Sequence, residues 1–183
     1  RRAGGGDVDD QFSRAGRRTP FAGVGVDAAV LNDYNWIKER LSGTPLARLG
    51  LGAAGYGLAV ALRSAPRALL ERRATYCEIV NVGGPAWRLD AAGERIGRPI
   101  GHGELLHAGP GLLAAASPVP YYGLGLRAFP FAERAQGLMQ LMVATQIDVA
   151  TLVVNIPRIW TGGFAHEGLL DFHAERVALR FEK

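Results

Sequence analysis

The chain has 183 residues with a formal net charge of +4, and 48% of them are hydrophobic and 21% charged, which is the balance of a globular domain. The 25 glycines and 10 prolines favour a β-rich domain over a helical bundle, because they supply frequent turns. No basic run is interleaved with aromatic residues, so we predict no nucleic-acid binding. Of the two long uncharged stretches, 49–62 is too short to span a membrane and 108–126 is broken by prolines.

Residues 1–19 are polar and glycine-rich, and we predict a flexible lead-in or at most an edge strand there. They contain no apolar core of a signal peptide and no initial methionine, so we expect the chain to be a piece of a longer protein. Residues 20–183 are predicted to form one domain. Its first element is a strand over Phe21–Val30, which Gly23 and Gly25 interrupt with a bulge or a close backbone approach.

Two helices are predicted next. Asn32 or Asp33 is placed to cap a short helix that Gly43 ends, and Pro45 opens a second helix that Pro66 stops. Apolar residues in the second segment recur every three or four positions, although four glycines weaken it.

The pattern then changes to β. Residues 76–80 and 86–89 flank Gly83-Gly84-Pro85 and predict a hairpin. Residues 96–111 predict a loop with one short strand, and 112–116 and 138–145 predict further strands.

The last predicted elements are a helix and a strand. Asp148 is expected to cap an amphipathic helix that runs to Trp160 and is kinked late by Pro157. Residues 175–181 alternate as a half-exposed strand does. The chain as a whole is therefore predicted to be mainly β, a two-layer β-sandwich with two or three packed helices.

The titratable residues do not form a recognisable metal motif. His102, Glu104 and His107 lack the spacing of a helical zinc site and lie among glycines, and His166 and His173 are far from them in sequence. We interpret all four histidines as loop residues with ordinary hydrogen bonds.

Nucleophilic catalysis is not indicated either. Ser117 lacks the glycine-flanked elbow of a hydrolase. Cys77 is the only cysteine, which excludes an intrachain disulfide, and we interpret it as a buried structural thiol. Trp87 and Trp160 are interpreted as core aromatics.

Two segments carry a family resemblance. Pro130-Phe131-Ala132-Glu133-Arg134-Ala135-Gln136-Gly137-Leu138-Met139-Gln140-Leu141 resembles the element P-x-A-x-x-x-D-G-L-L-x-[LV] of the diacylglycerol kinase and bacterial lipid kinase family. Phe21–Val30 resembles that family's G-[IV]-G-[FV]-D-A element, with Gly23, Gly25, Asp27 and Ala28 matching. The order of the predicted elements over residues 20–183 agrees with the family's C-terminal domain.

The resemblance implies a function for the parent protein. It would be an ATP-dependent lipid kinase, cytoplasmic and peripheral to the membrane, that uses ATP and magnesium to phosphorylate the hydroxyl of diacylglycerol or a related membrane lipid. This chain would be its substrate-side domain, partnered by an N-terminal nucleotide-binding domain whose Gly-Gly-Asp-Gly-Thr loop this chain lacks. Gly23, Gly25 and Asp27 would line the cleft. Taken from the residues alone, the same glycines are typical of a turn or bulge.

Two departures from the family pattern limit these expectations. Gln136 replaces the aspartate that helps to form a metal site in the family, and a neutral amide is a poor ligand for magnesium, so we predict no metal site here. The catalytic acid of the family lies in an Asp-Gly-Glu element expected beyond Lys183. We therefore predict that this fragment alone is inactive and binds no cofactor.

Two further possibilities stay open. The chain could be a non-catalytic lipid-binding β-domain that retains the fold without kinase chemistry, and Gln136 favours this alternative. An exposed sheet edge could also pair two copies into a homodimer.

Overall fold

A computed structural model of the chain describes residues 21–25, 75–122 and 125–182. The predicted lead-in, the two helices before residue 66 and Asp27 lie outside these residues. Within them the chain forms nine strands, two short helices and one turn of 3-10 helix at Ala132–Arg134. The strands are β1 (Ala22–Gly25), β2 (Thr75–Asn81), β3 (Ala86–Leu89), β4 (Arg95–Ile100), β5 (Leu105–Gly111), β6 (Leu113–Ser117), β7 (Met139–Ala144), β8 (Leu169–Ala174) and β9 (Val177–Glu182), and the helices are α1 (Val149–Val154) and α2 (Ile156–Thr161).

The described strands form two antiparallel sheets. The larger sheet has the order β1-β6-β7-β8-β3-β4, and the smaller has the order β5-β2-β9. One apolar cluster joins residues of both sheets, so their inner faces pack on each other. This arrangement confirms the predicted mainly β, two-layer sandwich.

The sandwich core follows from strict alternation along the strands. On β7, Leu141 and Val143 are buried in the core between the sheets, while Gln140 and Met142 point to the opposite face of the larger sheet. Each fully buried side chain of this size stabilises the fold by about 1.5–3 kcal/mol.

Cys77 is fully buried on β2, and burial raises the pKa of its thiol to about 11. The prediction of a buried structural thiol is confirmed.

The predicted hairpin over residues 76–89 is wrong. β2 pairs with β5 and β9 in the smaller sheet, whereas β3 pairs with β4 and β8 in the larger one. The Gly83-Gly84-Pro85 segment therefore crosses between sheets. The fully buried side chain of Asn81 holds this crossing: its Nδ2 donates to the carbonyls of Gly84 and Ile100 at 2.8 and 2.9 Å.

The prediction of a loop with one short strand over residues 96–111 is also wrong, because two strands, β4 and β5, occupy most of this segment. Glu104 holds the turn between these strands. Its carboxylate accepts from both guanidinium nitrogens of Arg98, at 2.7 and 3.0 Å, and from the Gly101 N–H at 2.5 Å. The Arg98 hydrogen bond, followed by the Gly101 N–H, lowers the pKa of Glu104 to about 2. Glu104 thus stabilises the turn between β4 and β5.

The predicted helix over residues 148–160 is two helices. α1 and α2 are separated at Asn155, because Pro157 near the start of α2 has no N–H to continue the helical ladder. Asp148 caps α1 as predicted, accepting from the Thr151 N–H at 2.9 Å. Trp160 is half-buried, so it is not the core aromatic that we expected. No helix in the described part of the chain is long and apolar enough to cross a bilayer.

The predicted strands β6, β7 and β9 are confirmed, and β9 alternates between half-buried and exposed residues. The structure adds β8, which the sequence analysis missed. β8 lies between β7 and β3 in the larger sheet, so it is a central strand.

Gly25 is required by the pairing of β1 with β6. Its φ is +104°, and a Cβ at this position would lie 2.3 Å from the backbone oxygen of Leu112. Gly25→Ala is therefore expected to destabilise the domain by roughly 3 kcal/mol or more, since backbone strain and a steric clash add. Thermal unfolding followed by circular dichroism measures the effect.

Gly137 provides the matched control for Gly25. Its φ is also positive, at +76°, but a Cβ there would meet nothing within 4 Å. Gly137→Ala should cost only about 1–2 kcal/mol. Equal losses for the two variants would show that the close approach to Leu112 does not constrain β1.

Candidate functional site

The outer face of the larger sheet, which points away from the smaller sheet, is covered by the segment that precedes β7. Ala115, Phe129 and Ala132 are buried there, with Phe21, Tyr122 and Met142 packed against them. The rings of Phe21 and Tyr122 lie 4.0 Å apart between centroids, and those of Tyr122 and Phe129 lie 6.3 Å apart. The start of β1 and the segment before β7 therefore share one apolar cluster.

A small pocket lies beside this cluster, and we call it the outer pocket. Its floor is the outer face of β7 and β8, because Gln140 and Met142 on β7 and Leu169 and Asp171 on β8 line it. Its volume is about 60 Å³. The covering segment and the end of α2 form the walls, which consist of Arg127, Ala128, Pro130, Phe131, Ile159, Gly162 and Phe164.

Gln140 connects the floor of the pocket to its wall. Its side chain is fully buried; Nε2 donates to Asp171 Oδ1 at 2.6 Å, and Oε1 accepts from the Phe131 N–H at 2.8 Å. Both ends of the amide are thus used, and these partners fix which end is oxygen. The orientation of the Asp171 carboxyl is set by this bridge.

His173 holds the other backbone group of the same residue, Phe131. Its ring is 2% exposed, and its Nε2 lies 2.8 Å from the Phe131 carbonyl oxygen. A carbonyl only accepts, so Nε2 carries the proton. We call this arrangement, with Gln140 on the N–H and His173 on the carbonyl, the Phe131 clamp. His173 Nδ1 is buried and has no hydrogen-bond partner among the described residues.

Asp171 is the titratable group of the outer pocket. Burial raises the pKa of its carboxyl from 3.8 to about 6, and the hydrogen bond from Gln140 opposes part of that rise. A carboxyl in an apolar pocket with such a pKa is a common mark of a functional site. Oδ2 has no hydrogen-bond partner in the described part of the chain, and Asp171 lines the pocket.

The positive charge of the pocket comes from Arg127. Its side chain is exposed and lines the pocket, while its backbone N–H donates to the Trp160 carbonyl at 3.0 Å and joins the covering segment to α2. The outer pocket thus combines an apolar wall, one carboxyl, one buried amide and one cation.

Of the residues singled out by the family resemblance, the structure describes Gly23, Gly25 and Gln136. Gly23 and Gly25 lie in β1, paired with Ala115 and Leu113 on β6, and they do not line the outer pocket. Asp27 lies outside the described residues. The hypothesis that these three residues line a cleft stays a prediction.

Gln136 lies in an exposed turn. The turn is closed by a hydrogen bond from the Leu138 N–H to the Ala135 carbonyl at 3.3 Å, and Gly137 supplies the positive φ that such a turn needs. Glu133 is exposed nearby. No group of three or more His, Cys, Asp or Glu residues that could hold a metal occurs in the described ranges, and the absence of a magnesium site stays a prediction.

The histidines do not act together. His102 is exposed in the turn before β5, and His107 lies on β5 with its Nε2 3.3 Å from the Pro110 carbonyl oxygen. His166 accepts from the Gly168 N–H at 2.9 Å. The interpretation as a loop residue is wrong for His107, which lies on β5, and for His173, which is buried on β8.

Sequence reasoning missed the residues of the outer pocket. Gln140 lies in the Pro130–Leu141 motif, and a glutamine between the apolar residues Met139 and Leu141 is a signal for a satisfied buried amide. Asp171 and His173 alternate with Leu170 and Phe172, which is a strand pattern that escaped notice.

Comparison with solved structures finds the crystal structure of a "putative diacylglycerol kinase" from Bacillus anthracis str. Sterne, which is 14% identical to this chain with a TM-score of 0.47. The match covers 90% of this chain and 43% of that protein, so the chain spans less than half of the neighbour's length. A similarity at this distance does not assign an activity. No protein-family model matches the chain, and no curated protein matches it significantly.

Proposed function

We propose that this chain is the substrate-side domain of an ATP-dependent lipid kinase that phosphorylates the hydroxyl of diacylglycerol or a related lipid. The parent protein supplies the nucleotide site from a separate domain and works at the membrane surface in the cytoplasm. This chain supplies the wall on which the lipid is positioned.

One observation supports this proposal: residues at or next to the two family-like motifs pack together in the fold. Phe21, at the start of one motif, packs with Tyr122 against Phe129, which immediately precedes the other. The two motifs are separated by 99 residues (31–129), yet Phe21 and Phe129 lie in one apolar cluster on the outer face of one sheet, as parts of one substrate-side surface would. The second motif also supplies Pro130, Phe131 and Gln140 to the outer pocket.

The chemistry of this surface suits a lipid. Phosphoryl transfer is mostly positioning and charge stabilisation, so the acceptor side must hold a hydroxyl in place while excluding water. The outer pocket offers apolar walls for the lipid and a small number of polar groups for its hydroxyl end. The transferred phosphoryl group and its metal are handled by the other domain in this proposal.

The test uses the parent protein, including the sequence on both sides of these residues. It is incubated with γ-labelled ATP and 1,2-dioctanoylglycerol, and the lipid products are separated. We expect label in the corresponding phosphatidic acid from the parent and none from the 183-residue chain alone. Failure of the parent to label any lipid alcohol would overturn the kinase assignment, and labelling by this chain alone would contradict the division of roles.

The second candidate is a non-catalytic lipid-binding β-domain. The exposed, neutral Gln136 favours it, because the turn that would carry a family aspartate has no metal-binding charge of its own. Under this alternative, the parent binds diacylglycerol but transfers no phosphate, and the same assay distinguishes the two.

A further inference from the structure

We propose that the outer pocket is a binding site for the free hydroxyl of a neutral lipid alcohol, with Asp171 accepting its hydrogen bond and Gln140 holding Asp171 in position. This inference rests on the proposed function, since it assigns the acceptor hydroxyl of that reaction to particular residues.

The geometry leaves one acceptor available for such a group. Gln140 occupies Oδ1 of Asp171 at 2.6 Å, while Oδ2 has no partner in the part of the chain that the structure describes. Gln140 is itself fixed by the Phe131 N–H, so the carboxyl has one set orientation. A carboxylate offers only acceptors, and a hydroxyl is the donor that fits a single free oxygen in a space of about 60 Å³.

The surroundings favour a neutral donor over a charged one. Asp171 lies in an environment that disfavours charge, as the pKa of about 6 shows, and a protonated amine would also meet the positive Arg127 at the rim. An anionic group would face the carboxylate on the floor. Met142, Ile159, Phe164 and Leu169 add apolar contact for a chain next to the hydroxyl.

The first test compares two soluble lipids that differ in the hydroxyl. The 15N-labelled chain is titrated with 1,2-dihexanoylglycerol, which has one free hydroxyl, and with trihexanoylglycerol, which has none. We expect the first lipid to shift the side-chain amide resonance of Gln140 and the backbone amide resonance of Phe131. The second lipid should bind about tenfold more weakly, because it cannot donate to Asp171. Equal affinity for both lipids, or shifts that avoid these two residues, would overturn the proposal.

The second test removes the acceptor charge. Asp171→Asn keeps an oxygen for Gln140 but turns the free oxygen into an amide donor, so we expect about tenfold weaker binding of dihexanoylglycerol. The control is Glu133→Gln, the same chemical change at an exposed carboxylate outside the pocket, and it should leave binding unchanged. Asp171→Asn with the affinity of the unsubstituted chain would contradict the assignment.

Kinetics of the parent protein separate this inference from the proposed function. We expect Asp171→Asn to raise KM for diacylglycerol with little change in KM for ATP. An active kinase whose KM for the lipid is unaffected would overturn the role of Asp171 and leave the kinase assignment standing. An inactive parent whose chain still distinguishes the two lipids would overturn the kinase assignment alone.

Discussion

Replacing Gln140 with alanine is expected to destabilise the domain by about 3–5 kcal/mol, because it leaves a cavity and two buried groups without their partner. The Phe131 N–H loses its acceptor, and the Asp171 carboxyl loses its donor. Gln140→Leu fills most of the cavity but restores neither hydrogen bond, so it should still cost about 2 kcal/mol or more. Chemical denaturation followed by tryptophan fluorescence measures both variants.

The matched control is Gln136→Ala, four residues earlier in the same motif. Gln136 is exposed, so its loss should change stability by no more than about 0.5 kcal/mol. A similar effect at both positions would show that the Phe131 clamp contributes little to the fold.

Replacing Asp171 with asparagine is expected to stabilise the domain at pH 8, by up to about 3 kcal/mol. The pKa of this carboxyl rises from 3.8 to about 6 on folding because of burial, so the folded state binds the proton more tightly than the unfolded state. The stability that this group contributes is present below pH 3.8 and is lost as the pH rises through about 6. Asparagine is neutral at every pH and still accepts from Gln140.

The difference between Asp171→Asn and the unsubstituted chain should therefore shrink as the pH falls from 8 to 4. Thermal unfolding at a series of pH values measures it, with Glu133→Gln as the control for removing an exposed carboxylate. A destabilised asparagine variant at pH 8 would show that the charged carboxylate is favourable where it lies. The expected gain also means that the natural chain retains Asp171 at a cost in stability, which is common for residues kept for function.

Local patterns in the sequence were enough to predict most of the strands but not their partners. The apolar runs that became β6 and β7 gave the correct elements, since their burial depends on alternation within each strand. The turn residues Gly83-Gly84-Pro85 predicted a hairpin because a turn signal does not encode which sheet the next strand joins. The segment of β4 and β5 was predicted to be a loop with only one short strand, because the glycines and prolines within it resemble a loop.

The candidate site was harder to predict because it depends on strand register. Gln140 faces His173 across the β7–β8 pair, and Met142 faces Asp171, so these residues share a face only when that register is known. The motif containing Gln140 was recognised for its turn at Gln136, which lies on the surface.

The order of strands in the smaller sheet has a consequence for how the domain is made. β2 is the central strand there, and Tyr76 on β2 pairs with Glu182 on β9, about 100 residues later. Because closing a contact over so long a loop is entropically costly, we expect the domain to fold slowly. During synthesis on the ribosome, β2 emerges long before its partner. Until β9 follows, Cys77 and Ile79 lack one side of their final packing, and a nascent chain paused in this interval would expose apolar surface to chaperones and proteases.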